Sequence, residues 1–220
     1  MDIGGLIVSA MISVVLVDDH AVVREGYKRL LQDSGRVCVV GEAENGADAY
    51  RQFCTLKPNV VVMDIALPGV SGIEGTRRIV AREPNARVLV FSMYEDAIFV
   101  RRAMEAGAMG YVTKASAPHV LVEAVDTIAS GKKYLSHDVA QTLALSGLDS
   151  PSSAHELSAR EFEVLKLLVQ GHSLNDIAEQ LGLNQKTVAN HQSAIKQKLG
   201  AESTAQLFRV ASRLGLVSLV

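Results

Sequence analysis

The sequence predicts an α/β domain built on a doubly wound, five-stranded parallel sheet, followed by a small all-α domain with helix-turn-helix proportions. Three observations carry that prediction. Between Ile12 and about Ser130, five short β-branched runs alternate with amphipathic stretches. A turn-forming segment, Ser146-Gly147-Leu148-Asp149-Ser150-Pro151-Ser152-Ser153, then interrupts the alternation. Beyond it, every punctuation signal is a helix cap or a glycine stop.

Taken in order, Ile12–Val17, Val37–Val40, Val60–Met63, Val88–Phe91 and Gly110–Thr113 read as strands. Helical segments fall between and after them at about 20–32, 46–56, 72–82, 96–106 and 118–130, with Pro118 suited to a first helical turn. Strands that are mostly apolar on both sides belong in a parallel sheet covered by helices on both faces, and right-handed crossovers make it doubly wound. Ser136 then caps a short helix over about Asp138–Leu145. Ser158-Ala159-Arg160-Glu161 is a capping box whose helix stops at Gly171, and Ser173-Leu174-Asn175-Asp176 is a weaker one, with Gly182 after its helix. Asn184 caps a helix ending at Gly200, and Ser203-Thr204-Ala205-Gln206 opens the last, over 203–214. The short helix 174–181, a glycine turn and the longer helix 185–199 have helix-turn-helix proportions. The expected division is an N-terminal extension at 1–11, an α/β domain at 12–130, a linker with a short helix at 131–156 and a helical domain at 157–220. Met11, directly before the first strand, would make a natural start, and residues 1–10 are assigned no function.

Composition sets the outer bounds. A chain of 220 residues, 48% hydrophobic and 21% charged, is globular and comfortable for two domains. Cys38 and Cys54 lack metal-ligand spacing and cannot form a disulfide framework, so they read as reduced, packed thiols of a cytoplasmic protein. No apolar run reaches the ~20 residues of a membrane helix, so no membrane partner is expected.

The chemistry concentrates at strand ends. Val17 runs into two adjacent carboxylates, Asp18 and Asp19. Two unit charges about 4 Å apart repel by roughly 4 kcal/mol at an effective dielectric near 20, so something must compensate. In a flavodoxin-like strand order (2-1-3-4-5), the first and third strands are neighbours at the switch point where ligands bind. Asp64, at the end of the third strand, would then join Asp18 and Asp19, and an all-oxygen cluster suits Mg²⁺. Ser92 and Lys114 end the fourth and fifth strands in the same layer. A carboxylate, a hard metal, a hydroxyl and an ammonium group are the parts needed to move a phosphoryl group onto an aspartate.

Val17-Asp18-Asp19-His20, Met63-Asp64 with Leu67-Pro68-Gly69-Val70-Ser71-Gly72, Phe91-Ser92 and Gly110-Tyr111-Val112-Thr113-Lys114 together resemble a response-regulator receiver domain over about 12–130. The resemblance implies that Asp64 is the phosphoacceptor, that Asp19, Asp64 and the Ala66 backbone carbonyl bind Mg²⁺ directly, and that Asp18 helps through water or by holding the site. It further implies that Lys114 pairs with the acyl phosphate, and that Ser92 and Tyr111 are a switch pair moving inward on phosphorylation by a partner histidine kinase. His20 reads as a surface or capping residue. Lys114 is followed by Ala115 where many receivers have proline, and Ala66 and Tyr94 are expected to govern water access.

In the helical domain, Val188, His191 or Gln192, Ile195 and Leu199 form an inward stripe. The opposite face offers Lys186, Asn190, Ser193 and Gln197, polar groups suited to base edges in a major groove. Lys186 and Thr187, near the helix N-terminus, are placed for phosphates, and Lys196 adds to a segment without acids. Across the domain the balance is nearly even: Arg160, Lys166, Lys186, Lys196, Lys198, Arg209 and Arg213 face Glu156, Glu161, Glu163, Asp176, Glu179 and Glu202. One copy would bind DNA weakly, so a homodimer on adjacent half-sites of double-stranded promoter DNA is expected. Leu157-Ser158-Ala159-Arg160-Glu161-Phe162-Glu163-Val164-Leu165, with Gly171-His172-Ser173 and Lys186-Thr187-Val188-Ala189-Asn190-His191, resembles the LuxR-type helix-turn-helix of NarL/FixJ response regulators. It implies a dimer contact on the last helix, through Leu207, Val210, Ala211 and Leu214. The expected function is a phosphorylation-dependent DNA-binding transcription regulator. The rival readings are a covalent phosphotransferase using Asp64, against which Ile65-Ala66 supplies no second acid–base carboxylate, and a DNA-binding protein with an idle receiver.

Overall fold

The computed structural model describes residues 11–146 and 157–213. Residues 1–10, 147–156 and 214–220, and with them most of the expected N-terminal extension and the last ten residues of the linker, lie outside the described residues.

In chain order the first domain runs β1 (Ile12–Val17), α1 (Ala21–Asp33), β2 (Val37–Ala43), α2 (Gly46–Leu56), β3 (Val60–Met63), α3 (Gly72–Arg82), β4 (Val88–Ser92), α4 (Ala97–Glu105), β5 (Gly110–Thr113) and α5 (Pro118–Ala129). The sheet is parallel, in the order β2-β1-β3-β4-β5-β6, with β6 at Tyr134–Leu135. It therefore has a sixth strand beyond the five expected. Two residues are too short to show any period in sequence, and only pairing with Gly110 and Tyr111 makes them a strand. Also longer than expected, β2 continues past Gly41 to Ala43 through an irregularity opposite Val14 and Val15. Gly41 stays in the ladder because Leu56 of α2 packs where a side chain would stand.

The strands' period of two divides the core. Val14, Leu16, Val60, Val62, Leu89, Phe91 and Val112 meet Leu31 of α1 and Leu121, Ala124, Val125 and Ile128 of α5 on one face. Val15, Val17, Val61, Met63 and Val88 meet Ala49 and Phe53 of α2 and Ile79 of α3 on the other. Each such fully buried aliphatic side chain contributes about 1.5–3 kcal/mol, so the strand ends are held rigidly. Cys54 departs from expectation: it is exposed on α2, and only Cys38 is half-buried.

After β6, α6 (His137–Ser146) packs against α4 and β5. The helical domain then comprises α7 (Ala159–Val169), α8 (Leu174–Gln180), α9 (Gln185–Lys198) and α10 (Thr204–Arg213). Both expected capping boxes form, Ser158 with Glu161 and Ser173 with Asp176. At α10, Ser203 accepts from Gln206 N, but the Gln206 side chain reaches Glu202 N, so the third box is displaced by one residue. Leu207 is fully buried. The two domains share a core: Phe99, Val100, Ala103 and Tyr111 of the first pack in one cluster with Leu157, Phe162 and Leu165 of the second. Among the described residues, no helix is long and apolar enough to cross a membrane.

Candidate phosphoacceptor pocket and nucleic-acid face

Ladder hydrogen bonds carry on past the strands and set the pocket floor. Asp18 N donates to Ala43 O at 3.1 Å, Asp64 N to Val17 O at 3.0 Å and Lys114 N to Ser92 O at 2.8 Å. The predicted residues consequently emerge side by side at the carboxyl edge. Asp18 and Asp64 are buried, and the Lys114 side chain is only 6% exposed. Lys114 Nζ lies 2.6 Å from Asp18 Oδ2 and 2.5 Å from Asp64 Oδ2, bridging both carboxylates. Asp64 Oδ1 accepts from Ile65 N at 2.6 Å and Ala66 N at 3.4 Å. Burial alone would lower the Lys114 pKa, but the charges and hydrogen bonds of Asp64 and Asp18 outweigh it and hold the ammonium protonated. Burial pushes the Asp64 carboxyl above its ordinary value, with Lys114 and Ser92 opposing.

This arrangement corrects one expectation. Asp18 and Asp64 are already compensated by Lys114, so it is not a cation alone that settles the cluster. The group whose ligand atoms lie within 4.8 Å of one another is Asp18, Asp19 and His20; Asp64 is turned toward Lys114. Asp19 supplies the unmet demand: its Oδ1 is buried and makes no hydrogen bond. His20 Nδ1 stands 2.8 Å from that atom as a charge contact only, and the ring is 71% exposed at the N-cap of α1, with no side-chain capping bond. A buried carboxylate oxygen without a hydrogen bond, next to a second carboxylate, fits a hard, oxygen-seeking divalent cation.

Ser92 is fully buried, its hydroxyl accepts from Tyr94 N at 3.5 Å, and, against burial, it acts to lower the pKa of both Asp64 and Tyr111. Tyr111 is also fully inside, its hydroxyl donating to Tyr94 O at 2.7 Å. Both switch candidates thus stand inward already, which narrows the expected movement to the Tyr111–Tyr94 bond. Sequence reading assigned Tyr94 only to water access. In the structure its ring stacks on Phe99 (centroids 4.3 Å apart, planes at 22°) and carries Lys166 Nζ of α7 at 4.8 Å. Lys166 also reaches Asp96 Oδ2 at 3.4 Å, and Phe99 meets Phe162 edge-on at 4.7 Å. Beside them Glu163 is buried and paired with Arg160 at 2.6 Å, its other oxygen without a partner. Burial raises the Glu163 pKa against Arg160, and the Asp64 charge raises it further. None of these interdomain roles has a motif; the one signal is an aromatic, Phe162, in the first turn of α7.

On α9, Lys186, Asn190, Ser193 and Gln197 are exposed together, while Val188 and Ile195 are fully buried beneath them. Lys196 and Thr187 are half-buried. The Thr187 hydroxyl donates to Asn184 Oδ1 at 2.9 Å, so it serves the helix cap. Burial lowers the His191 pKa, as befits a packing residue. Gly182, in the α8–α9 turn at φ +61°, sits against Pro68 of the loop that follows Asp64. The α8–α9 turn therefore borders the first domain.

A parallel sheet with an acid–lysine pocket at its switch point, docked on a helix-turn-helix, defines a receiver joined to a DNA-binding output domain. Comparison with known proteins agrees over both parts. Residues 14–126 match the response regulator receiver domain, and residues 155–211 match the luxR family of bacterial regulatory proteins. The response regulator UvrY of Escherichia coli (strain K12) is 36% identical over 209 residues, covering 94% of this chain and 96% of that protein. GacA of Pseudomonas aeruginosa is 37% identical over 212 residues, covering 94% and 98%. The structure of an RcsB–DNA complex superposes with a TM-score of 0.58 at 26% identity, over 93% of this chain and 99% of that one. The chain belongs to the NarL/FixJ family of response regulators, the DNA-binding transcription regulators of two-component systems.

Proposed function

We propose that Asp64 is the phosphoacceptor, that a sensor histidine kinase is the donor, and that the aspartyl phosphate controls how the helical domain engages promoter DNA. In the transfer, an Asp64 carboxylate oxygen attacks phosphorus, the bond from phosphorus to the kinase imidazole breaks, and the imidazole keeps the electron pair. Asp19, Asp18, Asp64 and the Ala66 carbonyl would hold Mg²⁺, which neutralises charge on the transferring group. Lys114, now between Asp18 and Asp64, would follow the negative charge onto the phosphoryl oxygens. Any turnover is slow self-dephosphorylation, because Ala66 offers no base. The observation that carries this reading is the convergence on Tyr94: its amide donates to Ser92 in the pocket, its carbonyl accepts from Tyr111, and its ring carries Lys166 of α7.

Phosphorylation adds negative charge within the field of the buried Glu163 and competes for Ser92, which loosens the Tyr111–Tyr94 bond and the grip on Lys166. Undocking would free the α8–α9 turn from Pro68. Lys186, Asn190, Ser193, Gln197 and Lys196 would then meet DNA, with Thr187 shaping the helix start, as two copies on adjacent half-sites. The working division is a receiver at 12–130, a linker at 131–156 and an output domain at 157–220, in a cytoplasmic protein.

Intact mass and gel shift, with acetyl phosphate in the presence and absence of Mg²⁺, test this. One phosphate on wild type, none on Asp64→Asn and tighter promoter binding once labelled are expected. Normal labelling of Asp64→Asn would overturn the site; labelling without any change in DNA binding would overturn the coupling.

A further inference from the structure

We propose that Arg24 is a positioning residue of the cation site: through one backbone carbonyl it aims Asp18 and Asp19, and thereby sets the pocket's affinity for a divalent cation. The inference rests on the reading of Asp19 as metal ligand given above.

Arg24 lies in the first turn of α1 and is 9% exposed. Its Nη1 donates to the Asp18 carbonyl at 2.6 Å, a buried bond. Its other two donors are tied to β2 and the residue after it: Nε to Glu42 Oε2 at 2.9 Å and Nη2 to Glu44 Oε1 at 3.1 Å. Lys28 holds the second Glu42 oxygen at 2.7 Å. Burial alone would lower the Arg24 pKa, but Glu42 and Glu44 outweigh it.

Two features distinguish positioning from simple charge. The guanidinium is neutralised by two carboxylates, so it lends little net field to the pocket. Its link to the site is the Asp18 carbonyl, which no backbone N–H meets among the described residues. That oxygen and the Asp19 amide belong to one planar peptide unit, so fixing the oxygen fixes the plane from which the Asp19 side chain departs. The orphaned Asp19 Oδ1 is thus presented from a peptide whose oxygen is held by Arg24 of α1, itself tied to Glu42 of β2. A lysine cannot reproduce this, because an ammonium lacks the rigid fork that engages a carbonyl and two carboxylates at once.

Loss of an outer partner that orients a ligand typically weakens metal binding about 10–100-fold. Mn²⁺ titration followed by electron paramagnetic resonance, with Mg²⁺ as competitor, reads this on the full chain without any reaction. Wild type is expected to bind one Mn²⁺ displaced by Mg²⁺. Arg24→Met should bind at least about tenfold more weakly, with Arg24→Lys intermediate. Lys28→Met, which loosens Glu42 but not Asp18, should stay near wild type. Melting of the metal-free proteins gives the structural cost separately. Acetyl phosphate labelling of the Arg24 variants should recover at saturating Mg²⁺. A folded Arg24→Met or Arg24→Lys with wild-type Mn²⁺ affinity would overturn the proposal, and Arg24→Lys decides if Arg24→Met does not fold. Failure of Mn²⁺ to bind wild type, or undiminished binding by Asp19→Asn, would instead sink the metal-site reading itself.

Discussion

Glu161 shows how one side chain joins several jobs. It closes the α7 capping box at Ser158 N (2.6 Å) and pairs with Lys198 of α9 at 2.7 Å. Burial alone would raise its pKa, but Lys198 and Ser158 outweigh it and hold the carboxyl below its ordinary value of 4.5. A carboxyl whose folded pKa is depressed stabilises the fold above its unfolded pKa and loses that contribution as pH falls through the folded one. The output domain should therefore lose stability below about pH 4.5. In Glu161→Gln the deficit relative to wild type should be full at pH 7 and vanish in strong acid, read by thermal melts across pH; a deficit independent of pH would refute the linkage. At this scale, Asp18, Asp19, Asp64, Ser92 and Lys114 were legible because each directly follows or ends an apolar strand. Arg24 and Glu163 were not, because a single charge in a helix shows nothing of the carbonyl or carboxylate it meets across the fold.

Among the elements, α3 is the most tightly constrained relative to the pocket. Gly72 N donates to Ile65 O at 3.1 Å, and a Cβ at Gly72 would fall 1.7 Å from the Asp64 carbonyl oxygen. The clash is with backbone, so either α3 or Asp64 must move. Gly72→Ala is expected to lower stability by about 1–3 kcal/mol, as overpacking does, and to slow acetyl phosphate labelling of Asp64. Melting and intact mass check both, and an unchanged labelling rate would show that the strain is relieved on the α3 side. The five main strands and the caps at Ser158, Ser173 and Asn184 were legible from period and punctuation, whereas the Ser136 hydroxyl, expected to cap α6, makes no hydrogen bond among the described residues. Nor was β6 legible, because a two-residue strand exists only through its partner.

For the whole molecule, the decisive feature is the docking of α7 on α4 and Tyr94. Lys166 over the Tyr94 ring is a cation–π contact of about 0.5–1 kcal/mol, enough to shift a docking equilibrium severalfold. Lys166→Met, away from the exposed α9 face, should raise promoter binding by the unlabelled protein roughly two- to fivefold and narrow the gain on labelling. A gel shift identical to wild type before and after acetyl phosphate would refute the contact's role.

The sequence by itself determined five of the six strands, the caps at Ser158, Ser173 and Asn184, and the placement of Asp18, Asp64, Ser92 and Lys114 at strand ends. Those follow from local rules: apolar period, capping chemistry and the placement of polar residues at strand ends. Only the tertiary structure decided that Lys114 bridges Asp18 and Asp64, that Asp19 Oδ1 is left without a hydrogen bond, and that the Tyr94 ring carries Lys166 of α7. Each of these joins residues far apart in sequence, and no local pattern encodes which distant partner neutralises a buried charge.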